Sequence, residues 1–315
     1  MKQIKLLWVI AHEPAYLFYR VAEDFQKLVN RYKDIVNVEI EILTNSEYNK
    51  KYNPDEPVDR HNLWKLLQDG TVQITQMQTT SLSRQFNKQM HVLDMPFLFD
   101  THDQVQTVLE GKVGQYLLNN FDNSSRLKGL AFTYSGGFRL MPFAGSVVSL
   151  DELVGESIRS GMSPIAQETI KAFGFTPVPT EIDKVTDAIN GNQVVGAEHV
   201  AQRLFPDQCE TWVNTIINTK HSIFLTSIVV NVDWWNSLDQ QVQDIFASCA
   251  VEAARNERAL SIQDGQESID KLISNGVNFI DLDEVATQKL RKCADSVYEK
   301  FNDFFEAGLI DKIKH

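Results

Sequence analysis

Cysteine is scarce in this sequence: Cys209, Cys249 and Cys293 are the three in 315 residues. Their number and wide spacing exclude a disulfide scaffold and a zinc knuckle. Their helix-like contexts read as small buried apolar positions, and the odd count leaves at least one thiol free within the chain. Long apolar runs are missing as well, because no stretch approaches the roughly 18 consecutive apolar residues that a membrane span needs. The opening run Met1–Ala11 superficially resembles a signal peptide. Its apolar part is no longer than a buried strand, and no small-residue cleavage site follows it. It reads as the first strand of the mature protein, with any export signal already removed. Positive charge is also in short supply, with 30 Lys and Arg against 42 Asp and Glu and a formal net charge of −12. That balance argues against nucleic acid or an anionic membrane as the main partner, since both reward basic patches. It leaves room for an anionic small ligand, because one arginine can dominate a cleft.

The usual catalytic and cofactor signatures are absent. There is no Walker A loop, and no G-x-G-x-x-G follows the first strand, so a nucleotide cofactor has no cradle. There is no H-E-x-x-H and no G-x-S-x-G elbow. The seven histidines are scattered, none at metal-ligand spacing. The expectation is a binding protein with no cofactor and no metal.

What the chain does contain is a regular alternation. A hydrophobic content of 43% and 23% charged residues are ordinary for a globular protein, and 315 residues suffice for two lobes with separate cores. Residues 4–11 form a nearly continuous apolar run, the pattern of a buried strand. Phe18, Val21, Ala22, Phe25, Leu28 and Val29 follow at helical spacing. Residues 36–43 alternate strictly, which predicts a strand with one wet face near a sheet edge. The polar piece 46–57 reads as a loop, residues 60–69 as a helix, 71–77 as a strand, 103–120 as a helix and 127–134 as a strand. The pair Gly136-Gly137 then suits a bend or crossover. Helix 182–190, strand 193–197, strand 225–232, a helical stripe from Leu238 to Ile273, strand 277–280 and a helix over 283–305 complete the pattern. Strands alternating with helices predict a mainly parallel α/β arrangement.

The stretch Glu156–Gly174 reads as a strand end, a turn and a helix with Ser163 as N-cap, Pro164 at the first helical position and Gly174 as terminator. Arg159 therefore falls where a strand ends and close to where a helix begins, a good place to hold a carboxylate. The plainer alternative is a surface pairing of Arg159 with Glu156 or Glu168. Other strand ends also carry charge or polarity: Glu13 after the first strand, Gln78 at the end of strand 71–77, Arg139 after 127–134, and Glu198 with His199 after 193–197. The carboxyl ends of strands are where open α/β sheets place ligands.

Several blocks resemble one family in its order. These are Leu93-Asp-Met-Pro-Phe-Leu-Phe-Asp100, Lys128-Gly-Leu-Ala-Phe132 with Gly137-Phe-Arg139, Ser149-Leu-Asp-Glu-Leu-Val-Gly155 with Ile158-Arg159, Ile170-Lys-Ala-Phe-Gly-Phe-Thr-Pro-Val-Pro179, Gly191 to Glu198, and Val230-Asn-Val-Asp-Trp-Trp-Asn-Ser-Leu238. Together they resemble the solute-binding proteins of tripartite ATP-independent periplasmic (TRAP) transporters, of the dicarboxylate-binding-like family, over nearly the whole length.

The resemblance implies a periplasmic-binding-protein-like α/β fold: two α/β lobes around a ligand cleft, with crossover strands and a long lobe-spanning helix. It places residues 1–135 plus 225–262 in lobe I and 136–224 plus 263–315 in lobe II. It implies a periplasmic receptor, not an enzyme, that binds a small organic acid between the lobes and delivers it to TRAP membrane subunits. A receptor serving a sensor or an ABC transporter is the alternative, and an α/β enzyme acting on an organic acid is a more distant one. Arg159 falls at the family's carboxylate-pairing arginine and Arg139 at its second arginine. The family's Gly-Gln-Glu-Asn-Pro block appears as Gly196-Ala-Glu-His-Val200, so His199 replaces the asparagine that reaches the ligand. Glu13 resembles the glutamate that members binding ectoine-like zwitterions carry after the first strand. The ligand shell expected is thus Arg159, Arg139, His199, Glu13, Gln78 and Glu198, for a carboxylate that could be a zwitterion or a sugar acid.

Overall fold

The computed structural model describes residues 2–11 and 16–314. The chain begins with β1 (Lys2–Ile10), α1 (Tyr16–Val29), β2 (Val36–Thr44), α2 (Asn45–Tyr52), α3 (Leu63–Gln68), β3 (Ile74–Gln78) and α4 (Thr79–Gln85). Then come α5 (His102–Glu110), α6 (Lys112–Asn119), β4 (Leu127–Phe143), β5 (Ser157–Ser160), α7 (Pro164–Ala172), β6 (Thr176–Pro179) and α8 (Val185–Asn190). The remainder is β7 (Gly196–Ala197), β8 (His199–Val200), β9 (Thr215–Asn218), β10 (Ile223–Asn231), α9 (Val232–Asn236), α10 (Gln240–Ser274), β11 (Asn278–Asp281), α11 (Glu284–Phe301) and α12 (Leu309–Lys314). The α/β class expected from the alternation is observed, but the mainly parallel arrangement is mixed, because β10 and β4 pair antiparallel with their neighbours.

The chain divides into two compact units. Unit 1 comprises Met1–Lys88, Val105–Ser135 and Leu225–Ala259, and unit 2 comprises Gln89–Gln104, Gly136–Phe224 and Leu260–His315. Residues 89–104, expected in lobe I, fall in unit 2. Phe97 packs there against Phe173 at 6.1 Å and shares a core with Met141 and Phe143.

In unit 1 the strand order runs β2, β1, β3, β10, β4, with β1 parallel to β2 and β3, and β10 antiparallel to β3. The edge position of β2 explains its alternating burial, since only one of its faces meets the core. All six apolar positions read as the face of α1 are buried. Phe25 stands between Trp8 and Phe246, with ring centroids 5.6 Å away on each side. Burying each such side chain contributes roughly 1.5–3 kcal/mol.

In unit 2, β5 lies parallel to β6 and β7, β4 runs antiparallel to β7, β8 and β9, and β11 is parallel to β9. β4 continues past Ser135 to Phe143, where a strand end was expected. Gly136 and Gly137 carry it onward with φ of +129° and +74°. A Cβ on Gly136 would fall 2.4 Å from Val200, so only glycine lets β8 approach.

Other expectations are corrected locally. The loop expected over 46–57 begins as α2, because Thr44 and Glu47 form a reciprocal capping box and Tyr48 is buried. The single helix expected over 103–120 is two, interrupted at Gly111, whose backbone is extended. Strand 193–197 shrinks to β7, and β9 was not foreseen. The caps of α7 stand as read: Ser163 accepts from the Ile165 amide at 3.3 Å, Pro164 is the first residue, and Gly174 takes a φ of +93°. Cys209 and Cys249 are buried and Cys293 half-buried, all three as free thiols.

Candidate ligand-binding site

Arg159 sits on β5 between its register partners Val178 of β6 and Ala197 of β7. Its Nε donates to the Thr180 carbonyl at 2.7 Å and its Nη1 to the Glu198 carbonyl at 2.9 Å. Both carbonyls lie just beyond the ends of their strands, so three strand ends converge on one guanidinium. Arg159 is only 3% exposed, and neither Glu156 nor Glu168 pairs with it; Glu168 meets Lys300 and Lys171 instead. Two backbone carbonyls hold Nε and Nη1 of the guanidinium, while Nη2 makes no hydrogen bond within the described residues. Burial lowers its pKa to about 10, against the attraction of Glu198, so the group stays charged at neutral pH.

Arg139 projects from β4, opposite Val200 of β8. Its guanidinium lies over the Phe224 ring at 4.3 Å, a cation–π contact, and its Nη1 is 3.7 Å from Glu198 Oε1. That Nη1 is buried and has no hydrogen-bond partner. The fully buried Glu198 joins the parts. Its Oε1 accepts from the Gly161 amide, and its Oε2 lies 3.3 Å from His221 Nε2. His221 is oriented in turn by Thr219 Oγ1, 2.7 Å from Nδ1. A Cβ on Gly161 would stand 2.8 Å from Glu198 Oε1 and displace the carboxylate. Burial alone would raise the pKa of Glu198, but Arg139, His221 and Arg159 hold it well below the usual carboxylate range.

His199 faces a different set of partners. Its ring is fully buried, with Nδ1 3.1 Å from the Val200 carbonyl and Nε2 3.3 Å from Asp207 Oδ2 and 3.7 Å from Cys209 Sγ. Asp207 also accepts from Arg203 Nε at 3.0 Å and Nη2 at 2.9 Å. Burial pulls the His199 pKa below its ordinary value despite the opposing pull of Asp207. The raising effect of burial on Asp207 is outweighed by His199 and Arg203, which hold it at about 2. Burial pushes the Cys209 thiol up.

Four of the residues singled out in the sequence thus gather in unit 2: Arg139, Arg159, Glu198 and His199. Gln78 belongs to unit 1, half-buried at the end of β3 and opposite Thr226 of β10. Glu13 lies outside the described residues. The sequence reading missed Thr180, Gly161, His221, Arg203 and Asp207. The four-residue spacing of Arg203 and Asp207 was a legible signal of an ion pair. Nothing near His221 in the sequence points to Glu198.

Among the described residues of unit 2, the buried formal charges are Arg139, Arg159 and Arg203 against Glu198 and Asp207. Leaving the histidines aside, one positive charge is uncompensated, and half-buried Glu181 adds only a weaker attraction to Arg159. Such an arrangement is suited to an anion. No group of three or more His, Cys, Asp or Glu among the described residues could hold a metal ion. No described helix is long and apolar enough to cross a membrane.

Solved structures define the class of fold. A TRAP periplasmic solute-binding protein from Pseudomonas putida F1 with bound D-glucuronate superimposes with a TM-score of 0.80 at 22% identity, over 98% of this chain and 96% of that one. One from Shewanella oneidensis with bound succinate gives 0.81 at 18% identity, over 99% of both chains. The profile of the DctP family, bacterial extracellular solute-binding protein family 7, matches residues 14–303, and the chain belongs to that family. The C4-dicarboxylate-binding protein DctB of Bacillus subtilis is 22% identical over 302 residues, covering 93% of this chain and 83% of DctB. The 2,3-diketo-L-gulonate-binding periplasmic protein YiaO of Escherichia coli is 28% identical over 198 residues, covering 62% of this chain and 60% of YiaO.

Proposed function

We propose that the protein is a periplasmic receptor that binds a small organic acid on Arg159 and delivers it to the membrane subunits of a TRAP transporter. The observation that carries this reading is the buried arginine cluster at the carboxyl ends of β5, β6 and β7, with its uncompensated positive charge. Carbonyls hold Arg159 through Nε and Nη1, so its free donors are already oriented before a ligand arrives. A charge-assisted hydrogen bond contributes roughly 1.5–3 kcal/mol, and a carboxylate can take two.

In this reading Arg139 supplies the second cationic contact through Nη1, which makes no hydrogen bond within the protein and only the 3.7 Å ion pair with Glu198. Glu198 is the brace for both arginines and not a ligand contact itself, because its oxygens are already taken by Gly161, His221 and Arg139. His199, expected to reach the ligand, is assigned a bracing role, since both ring nitrogens face protein partners. Gln78 and Glu13 remain proposed contacts on the strength of their strand-end positions alone. Family membership and the carboxylates held by structural relatives support the class of ligand and the periplasmic location. The absence of a recognised catalytic motif in the sequence favours a receptor over an enzyme.

A thermal-shift screen tests this function. Succinate, D-glucuronate and D-galacturonate are compared with succinamide and D-glucose, and each stabilising compound is recovered and analysed. At least one carboxylate should raise the melting temperature, its uncharged counterpart should not, and the compound should return unchanged. Equal stabilisation by the uncharged compounds would refute carboxylate recognition, and recovery of a product would favour the enzyme.

A further inference from the structure

Unit 2 contains a cleft of about 620 Å³ where α10 passes β11 and the residues that follow β9. The volume lies within the range of small-molecule sites, roughly 300–1,000 Å³. None of Arg139, Arg159 or Glu198 lines it. One wall is a stripe of α10 in which Ile262, Ile269 and Ile273 recur at helical spacing, and Phe279 of β11 continues it. Ile262 and Ile273 are 41% and 47% exposed, whereas Ile269 and Phe279 are half-buried against the unit core, so part of this stripe stays open. An apolar stripe left in water beside a cleft marks a surface that can bury something.

The cleft is also lined by Lys220 and Asp281. Lys220 adopts a φ of +46°, a left-handed conformation unfavourable for a bulky residue. Its neighbours Thr219 and His221 are buried and hydrogen-bonded to each other at 2.7 Å, which fixes the backbone from which the lysine departs. Lys220 has no ion-pair partner among the described residues. Asp281 accepts from the Asn218 amide at 2.7 Å and likewise meets no cation among them. The other carboxylate of the lining, Asp100, is neutralised by Arg291. Burial and the nearby Lys220 favour the neutral form of His102, against Asp103. One uncompensated cation, one uncompensated anion and an apolar stripe therefore share one cleft.

We infer that this cleft is an accessory site for an apolar α-amino acid. The carboxylate meets Lys220, the ammonium meets Asp281, and the side chain covers the isoleucine stripe and Phe279. This goes beyond the carboxylate site, because it calls for a zwitterion and uses none of the same side chains.

The test titrates L-leucine into the full chain by calorimetry, alongside 4-methylpentanoate, which lacks the ammonium, and 3-methylbutylamine, which lacks the carboxylate. L-leucine should bind saturably, and each half-ligand should bind at least fivefold more weakly. Lys220→Ala and Asp281→Ala should each weaken L-leucine at least fivefold, while Arg159→Lys leaves it unchanged. Lys220→Gly removes the ammonium group while suiting the positive φ, so it keeps the test valid if the alanine variant folds poorly. The inference fails if L-leucine does not bind, or if 4-methylpentanoate binds as well as L-leucine. It also fails if binding survives in Lys220→Gly but is lost in Arg159→Lys, which would place L-leucine at the carboxylate site.

Discussion

Among the described residues, the buried formal charges of unit 1 balance and those of unit 2 do not. In unit 1 the two are Glu257 and Arg258. Glu257 accepts from the Tyr134 amide at 2.8 Å, and Arg258 Nη1 donates to the Phe132 carbonyl at 2.6 Å while its Nη2 meets Glu110. These groups tie α10 to β4 and α5 around a core dominated by Trp8, Phe25 and Phe246. In unit 2 three buried arginines face two buried carboxylates. The same strand-and-helix alternation thus carries two chemistries. Charge that is internally neutral holds a fold together, and charge left uncompensated is available to a ligand.

The largest expected effects would break that contrast. Phe25→Ala should cost about 3–5 kcal/mol by opening a cavity between Trp8 and Phe246. Glu198→Ala should cost a similar amount, about 3–5 kcal/mol, by leaving Arg139 and Arg159 buried without their carboxylate. Urea unfolding followed by hydrogen exchange should assign the first loss to unit 1 and the second to unit 2. If Glu198→Ala unfolds no more readily than the parent protein, Glu198 is not the brace described.

Asp207 gives an intermediate effect with a defined pH window. Its pKa of about 2 lies below the ordinary 3.8, so the unfolded chain binds the proton more tightly. The resulting stabilisation, about 2 kcal/mol, is complete above pH 4 and is lost as the pH falls towards 2. Asp207→Asn should flatten that part of the stability curve, and an unchanged acid limb would contradict the assignment. His199 gives the smallest effect. Its folded pKa lies below 6.5, so here too the unfolded state holds the proton, and stability should decline as the pH drops below about 6.5. Stability measured between pH 5 and 7 should depend less on pH in His199→Gln than in the parent protein.

How much of this was legible beforehand depended on distance along the chain. The face of α1, the edge position of β2 and the caps of α7 follow from patterns a few residues long, and the structure has them as read. Thr44 and Glu47 form a capping box that was open to view, yet the polarity of the following residues suggested a loop. β9 is a four-residue strand whose place depends on β4 and β11, so its own residues carry little signal. At the candidate site, Arg159 and Glu198 are visible as charges at strand ends, whereas Arg139, expected just after a strand, lies inside β4. What cannot be read is that Glu198 closes on Gly161 and His221, 37 and 23 residues away. Nor does the spacing indicate that adjacent Glu198 and His199 serve different partners, although the alternation of side chains along an extended backbone accounts for it. Glu13 lies outside the described residues, and the contact expected of it stays a proposal.

The central claim is that the guanidinium of Arg159 in unit 2 recognises a carboxylate through its fork. Calorimetric titration of the most stabilising carboxylate from the screen into the parent protein and Arg159→Lys tests it directly. Lysine keeps the charge but loses the paired donors and the grip on the Thr180 and Glu198 carbonyls. The account predicts at least a tenfold loss of affinity in a variant that still folds. Unchanged affinity in folded Arg159→Lys would contradict it.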